Sequence, residues 1–485
     1  MNPNGEDQRK PPRFTLYKLW FYVLAYIALN AFSQFLTSPT AELDQSEQLV
    51  LSQSLQLGYA SHPPLYTWIA FGVFIFTGPS LLALLVVKIL ILSSLMGLLI
   101  AVGREFEFSE RQHLIAIIGV IFIPQFIWES QRDLTHSSLA TMFAAAALLQ
   151  TARLSRNPSV RNYALLGLIA GFGVLSKYNF LIYCLGLLLA AAFTPQYRKA
   201  VFRLPLLLSI AITVAMAIPH AVWASSHIAA AASSLHKIES ISGKPLLGIG
   251  KTFAAVLVFL TPFWLAAVFL AGRKILLPVA QAGYRLFLSR LFLVMLGVIL
   301  LFVLLSGAQK IKDRWFQPLL FFTPLLLALY SAPSPKRLRQ FYGIGIVCAL
   351  LISVALPMRT ILAGYTERTN RLNIPFKASA AKLSQSIGSP AVIFAENRLL
   401  GGNMRLAFPS AAVITPDEPA PARIPSGKWV ILCETINGQN QEFREWLKKQ
   451  AHIDLKDLSF DSITQTYYYS QDRKYSLYWS AMNQP

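Results

Sequence analysis

Apolar runs separated by short polar loops recur through the first three quarters of this chain, and their spacing predicts the architecture. Runs at 16–35, 80–102, 112–127, 136–152, 162–176, 180–194, 204–224, 251–271, 291–306, 316–331 and 340–357 approach the roughly 20 residues needed to cross a ~30 Å hydrocarbon core. They predict about eleven spans. Residues 162–194 must cross twice in 33 residues, which calls for short or tilted helices. After Pro357 the pattern changes to alternating apolar stretches at 391–394 and 428–432 and a helical FREWLKKQ segment at 443–450, the mark of a small soluble α/β domain.

Charge orients these elements. The 485 residues carry 43 Lys and Arg against 23 Asp and Glu, a net +20. With 54% hydrophobic and 14% charged residues and a mean hydropathy of +0.49, the chain is too apolar for a soluble protein of this length. The basic residues fall mostly in short loops between runs, as charges that set membrane orientation do, so nucleic-acid binding is discounted. Arg9, Lys10, Arg13 and Lys18 precede the first run, which places the amino terminus in the cytoplasm and the next loop outside. Every loop then predicted inside is basic, from Arg104 and Arg111 to Lys336, Arg337 and Arg339. No small-residue cleavage site follows the first run, which reads as a retained span. Cys184, Cys348 and Cys433 indicate neither a disulfide framework nor a metal site.

The first external loop, 37–79, is anomalous. It has no Lys or Arg, and its formal charges are Glu42, Asp44 and Glu47. Residues 46–57 predict an amphipathic helix along the membrane surface, with Leu49, Val50 and Leu57 on one side. His62-Pro63-Pro64 predicts a rigid turn. The fold class is therefore a polytopic α-helical membrane protein of about 11–13 transmembrane helices. Residues 1–358 form the membrane domain, with its catalytic loop at 37–79, and 359–485 a small extracytoplasmic α/β domain.

Four groups could carry chemistry. A carboxylate just outside the bilayer can take a proton from an incoming hydroxyl, and Asp44 is the candidate base; the alternative is that all three acids are solvated or serve a helix amino end. His62 is either a phosphate donor or a turn residue. Arg132, Asp133 and His136 share a helix face by spacing, suited to binding a sugar or orienting the acidic loop, or else an ordinary helix end. Lys177 calls for an anionic partner or snorkels to the interface. Lys310, Lys312 and Arg314, basic on the outside, suit a leaving phosphate or anionic lipid headgroups. The motifs of nucleotide, dinucleotide and zinc-hydrolase sites are absent from the sequence, so neither a cofactor nor a metal is expected.

Asp44, Leu57-Gly58-Tyr59, His62-Pro63-Pro64-Leu65 and Trp68 resemble the GT-C membrane glycosyltransferases of the protein mannosyltransferase and lipid A aminoarabinose transferase type, including bacterial glycosyltransferase family 39. Weaker echoes are GVLSKY at 173–178 and Arg314-Trp315 with Pro318. The resemblance implies a GT-C fold in a bacterial inner membrane and a sugar carried on a polyprenyl phosphate. Transfer would be periplasmic, to a glycolipid acceptor such as lipid A or lipopolysaccharide core, with inversion and Asp44 as base. Glu47, Tyr59, His62, Arg132, Asp133, His136, Lys177, Lys310, Lys312 and Arg314 would bind substrate. Two positions depart from the pattern. The usual Asp-Glu is Asp44-Gln45, and the usual Asp-x-x-Leu is His136-Ser137-Ser138-Leu139, with Asp133 a candidate substitute one turn earlier. The DQSEQL string is similar to a rhizobial subgroup that includes galacturonic acid transferases. The competing readings are a transporter or flippase of lipid-linked sugars, a protein O-glycosyltransferase and a noncatalytic scaffold. A transporter would predict inverted repeats, and none is visible in the sequence.

Overall fold

The computed structural model describes residues 13–59, 62–133, 135–228, 239–240, 245–271, 283–366, 370–416, 424–435 and 440–484. They divide into two compact units. One comprises Met1–Ala28, Ile89–Ser226 and Ala232–Ile352; the other comprises Leu29–Lys88, His227–Ala231 and Ser353–Pro485.

Among the described residues, five helices are long and apolar enough to span a membrane: Leu16–Thr37, Leu81–Glu105, Leu206–Ser226, Gly283–Ser306 and Pro335–Ala363. Three further pairs would each make a broken span. Glu110–Ile121 with Gln125–Arg132 bends by 73°, Phe180–Phe193 with Pro195–Val201 by 115°, and Gly248–Phe259 with Thr261–Leu270 by 59°. Pro195 opens the second helix of the sharpest pair, where a missing N–H costs nothing but a continuous helix would be broken. Leu65–Thr77, Val160–Ser176 and Gln317–Tyr330 are shorter apolar helices. Each run read from the sequence falls on helical structure, and 112–127, 251–271 and 316–331 each fall on two successive segments. The stretch 37–79 does not remain a loop, however, because LYTWIAFGVFIFT forms the helix Leu65–Thr77. At 1.5 Å per residue its 13 residues extend only about 20 Å, too short to meet the length expected of a span.

In the first unit, close helix packing rests on small residues and hydroxyls. A Cβ at Gly167 would lie 2.7 Å from the Ser209 carbonyl. Ser209 Oγ donates to the Tyr163 carbonyl at 2.7 Å and Thr213 Oγ1 to that of Gly167 at 3.1 Å. Helices in an apolar solvent associate through such backbone approach, since burial of apolar surface alone gives little.

In the second unit, Val392–Ala395, Ala412–Ile414 and Gly427–Cys433 pair in parallel, and Lys474–Gln484 and Asp461–Thr466 extend the sheet antiparallel. Alternate residues face opposite sides, as the pleat requires. Ile393, Ala395, Val430 and Leu432 pack with the helices Phe376–Ile387 and Arg398–Ala407. Val392, Phe394, Ile431 and Cys433 pack with Phe443 and Leu447 of Gln441–Ala451. Fully burying each such large side chain stabilises by about 1.5–3 kcal/mol. The first core also includes Val50, some 340 residues away in sequence.

Burial pushes the Cys433 thiol up to about 12. At pH 8 its thiolate fraction is then on the order of 10⁻⁴, and the thiolate is the reactive species. Cys433 is therefore expected to resist maleimide in the native full-length protein and to react after denaturation, as read by peptide mass spectrometry. Equal labelling in both states would contradict the packing described.

Candidate functional site

The helix Leu43–Leu51 lies in the second unit and carries the three acids or their cap. Glu42 is its N-cap, and its amide donates to Gln45 Oε1 at 2.9 Å in a capping-box arrangement. Gln34 Nε2 donates to the same oxygen at 3.1 Å. Gln45, the residue that departs from the family's Asp-Glu, therefore serves the helix start. The expected surface helix over 46–57 is not formed. The helix ends at Leu51, and Gln45 through Leu51 are all buried. Its apolar residues meet protein: Val50 joins the core beneath the sheet.

Glu42 and Glu47 are each matched by a cation. Glu42, 1% exposed, pairs with Arg359, and Glu47 pairs with Arg398. His62 Nε2 lies 3.6 Å from the second Glu47 oxygen. Buried carboxylates need such partners. Asp44 sits in the first helical turn and is half-buried. Tyr59 and His62 form a backbone bridge, His62 N donating to the Tyr59 carbonyl at 2.7 Å. The Tyr59 hydroxyl donates to the Ser54 carbonyl at 2.7 Å and accepts from Gln56 N at 3.0 Å. Thr67 Oγ1 donates to Gln48 Oε1 at 2.8 Å, which ties the helix after the Pro-Pro turn to the acid-bearing one.

The other predicted residues lie in the first unit. Arg132, Asp133 and His136 do not share one helix face. A π-helical segment, Gln125–Glu129, leads into the single turn Ser130–Arg132, Asp133 leaves the helical region at φ −140°, ψ −130°, and a new helix starts at His136. The i, i+3 and i, i+4 relation holds only along an unbroken helix. Arg132 Nη2 instead pairs with Glu129 at 2.8 Å. Asp133 and His136 are buried. Lys177 follows the helix Val160–Ser176 and donates to Ser137 Oγ at 2.5 Å. Lys312 is exposed and Arg314 half-buried, flanking and within the 3₁₀ turn Asp313–Trp315. Lys310 closes the strand Ala308–Lys310, and its side chain lies outside the described residues.

Sequence reasoning missed Arg359, Arg398 and Asn403, whose partners lie more than 300 positions away. It also passed over Lys88, 4% exposed within an apolar helix, where an ionisable residue is costly and often functional. The signals were a lysine inside a long apolar run and the adjacent pair Gly401-Gly402 inside a helix, which points to close backbone approach.

Residues 61–223 match the model of a family described as dolichyl-phosphate-mannose-protein mannosyltransferase. The chain is 31% identical over 489 residues to the lipopolysaccharide core galacturonosyltransferase RgtB of Rhizobium johnstonii, covering 96% of this chain and 98% of that one. It is 33% identical over 412 residues to RgtA of the same organism, also a lipopolysaccharide core galacturonosyltransferase, covering 82% of each. Its fold is similar to ArnT from Cupriavidus metallidurans bound to undecaprenyl phosphate, with a TM-score of 0.57 at 11% identity over 94% of this chain and 98% of that one.

Removing one member of a buried ion pair costs about 3–5 kcal/mol, whereas an exposed pair is worth about 0–1 kcal/mol. Glu42→Ala should therefore lower the melting temperature of the purified protein well beyond Glu107→Ala, whose partner Arg156 is largely solvated. Equal shifts would contradict the burial of the Glu42–Arg359 pair.

Proposed function

We propose, from the premise that this chain belongs to the GT-C membrane glycosyltransferases of the protein mannosyltransferase and aminoarabinose transferase type, that it transfers a hexuronic acid, of the galacturonic type, to a lipopolysaccharide core acceptor. The chain is a multi-pass membrane enzyme that uses a polyprenyl-phosphate-linked sugar and acts on envelope glycolipids. The uronic acid reading is carried by the end-to-end likeness to core galacturonosyltransferases at 31% identity. That likeness also favours a glycolipid acceptor over a protein one.

Asp44 is the base in this reading. Its neighbours Glu42 and Glu47 are held in ion pairs with Arg359 and Arg398, and the assignment of Asp44 rests on its place in the motif shared with the family. The acceptor oxygen bonds to the anomeric carbon as its proton passes to the Asp44 carboxylate. The bond from that carbon to the phosphate oxygen breaks, and its electron pair leaves with polyprenyl phosphate, which gains one negative charge. A single displacement of this kind inverts the anomeric centre. The basic residues Lys177, Lys312 and Arg314 are assigned to the phosphate, where charge develops, with Arg132, Asp133 and His136 assigned to substrate. The charge pattern of the loops supports transfer on the periplasmic face of the inner membrane, with the amino terminus cytoplasmic and the carboxyl-terminal domain periplasmic.

General-base removal typically costs about 10²–10⁴-fold, so Asp44→Asn should lower transfer by purified protein by that factor. Unaltered transfer would overturn the assignment. Lys312→Gln combined with Arg314→Gln should lower kcat/KM for the donor by on the order of 10²-fold while leaving the acceptor KM unchanged. Undiminished donor use would remove those residues from the phosphate site.

A further inference from the structure

A displacement of about 1 Å at a reacting group can cost on the order of 10²-fold in rate, so whatever fixes the helix Leu43–Leu51 also bears on the rate. Nine residues are too few for an isolated helix to be stable in water. Its place is set by the helix Arg398–Ala407 of the same unit. Asn403, 4% exposed, applies both ends of its amide to the loop. Its Oδ1 accepts from Ala41 N at 2.8 Å, and its Nδ2 donates to Ser46 Oγ at 3.1 Å and to the Ala41 carbonyl at 3.3 Å. Gly402 lets the two backbones touch: a Cβ there would lie 2.3 Å from the Ser46 carbonyl oxygen and 2.4 Å from its Cα.

The same contact is fixed at both ends. Arg398 pairs with Glu47. Beyond the helix, Gln53 Nε2 donates to the Val413 carbonyl at 2.7 Å, and its Oε1 accepts from Val413 N at 2.8 Å. Asn397 caps Arg398–Ala407, with Oδ1 accepting from Leu400 N at 3.0 Å. Its Nδ2 donates to Glu434 at 2.7 Å, and the other Glu434 oxygen accepts from the Tyr475 hydroxyl at 2.9 Å. Hydrogen bonds thus tie the sheet to the start of Arg398–Ala407, and Asn403 of the same helix to Ala41 and Ser46. At about 100° per residue, Ser46 lies some 160° around the helix from Asp44. The docking contact is on the back of the helix that carries the base, so a push at Ser46 moves Asp44 outward.

We infer that Arg398–Ala407 is a positioning element of the transfer reaction: Gly402 and Asn403 set the Asp44 carboxylate through Ser46 and Ala41, and the carboxyl-terminal domain thereby governs kcat. This rests on the reading of Asp44 as base. These are positioning residues, since they act through the loop helix.

The test uses purified full-length protein with Asn403→Ser, Gly402→Ala, Asp44→Asn and, as a control, Leu447→Ala on the opposite face of the sheet. Both positioning variants should lower kcat per folded molecule about 10–10²-fold with donor and acceptor KM within about threefold of wild type. Leu447→Ala should lower thermal stability and leave kcat per folded molecule unchanged. If Gly402→Ala does not fold, Asn403→Ser decides. Wild-type kcat in Asn403→Ser, a loss confined to KM, or an equal loss of kcat in Leu447→Ala would overturn the proposal. Retained transfer in Asp44→Asn would instead overturn the assignment of the base, a separate result.

Discussion

The place of the acid-bearing helix Leu43–Leu51 depends on one close backbone approach, between Ser46 and Gly402. A short helix carrying Asp44 and Glu47 and capped by Glu42 has little reason to form alone, since its mean burial in water would be slight and its nucleation unfavourable. Glycine at 402 removes the Cβ that would collide with Ser46, and Asn403 satisfies the polar groups that the contact would otherwise strand. Glycine in a helix interior costs about 0.5–1 kcal/mol relative to alanine. Here that cost is offset by Val50 entering the core and by the ion pair of Arg398 with Glu47.

Glu42 and Glu47 are held in ion pairs, as buried carboxylates require. Arg359 balances Glu42 and Arg398 balances Glu47, one cation arriving just after Pro357 and the other from the carboxyl-terminal domain. The polar loop thus acquires its positive charge from 300 or more residues downstream, which accounts for an acidic stretch with no local base in a chain of net charge +20.

The membrane helices were legible because their signal is local: each apolar run reports its own burial. Two strands of the sheet were legible for the same reason, with 391–394 and 428–432 becoming Val392–Ala395 and Gly427–Cys433; the other three were not read from the sequence. Asp44 was singled out by the resemblance of its stretch and His62-Pro63-Pro64 to the family's motif. The rest required partners far away in the chain. Leu49 and Val50 read as a membrane-facing stripe, since apolar residues on a polar helix do not say whether lipid or protein covers them. The break at Asp133 was hidden because WESQRDLTHSS contains neither proline nor glycine. Leu65–Thr77 fell below the length expected of a span and was read as loop.

The proposed reaction is a single displacement in which the acceptor, deprotonated by Asp44, replaces polyprenyl phosphate at the anomeric carbon. The stereochemistry of the new bond tests that most directly. Purified full-length protein would be given a polyprenyl-phosphate hexuronic acid of known anomeric configuration and a core glycolipid acceptor, and the product linkage read by NMR coupling constants. The expected product carries the opposite anomer to the donor. The same anomer in the product would contradict a single displacement.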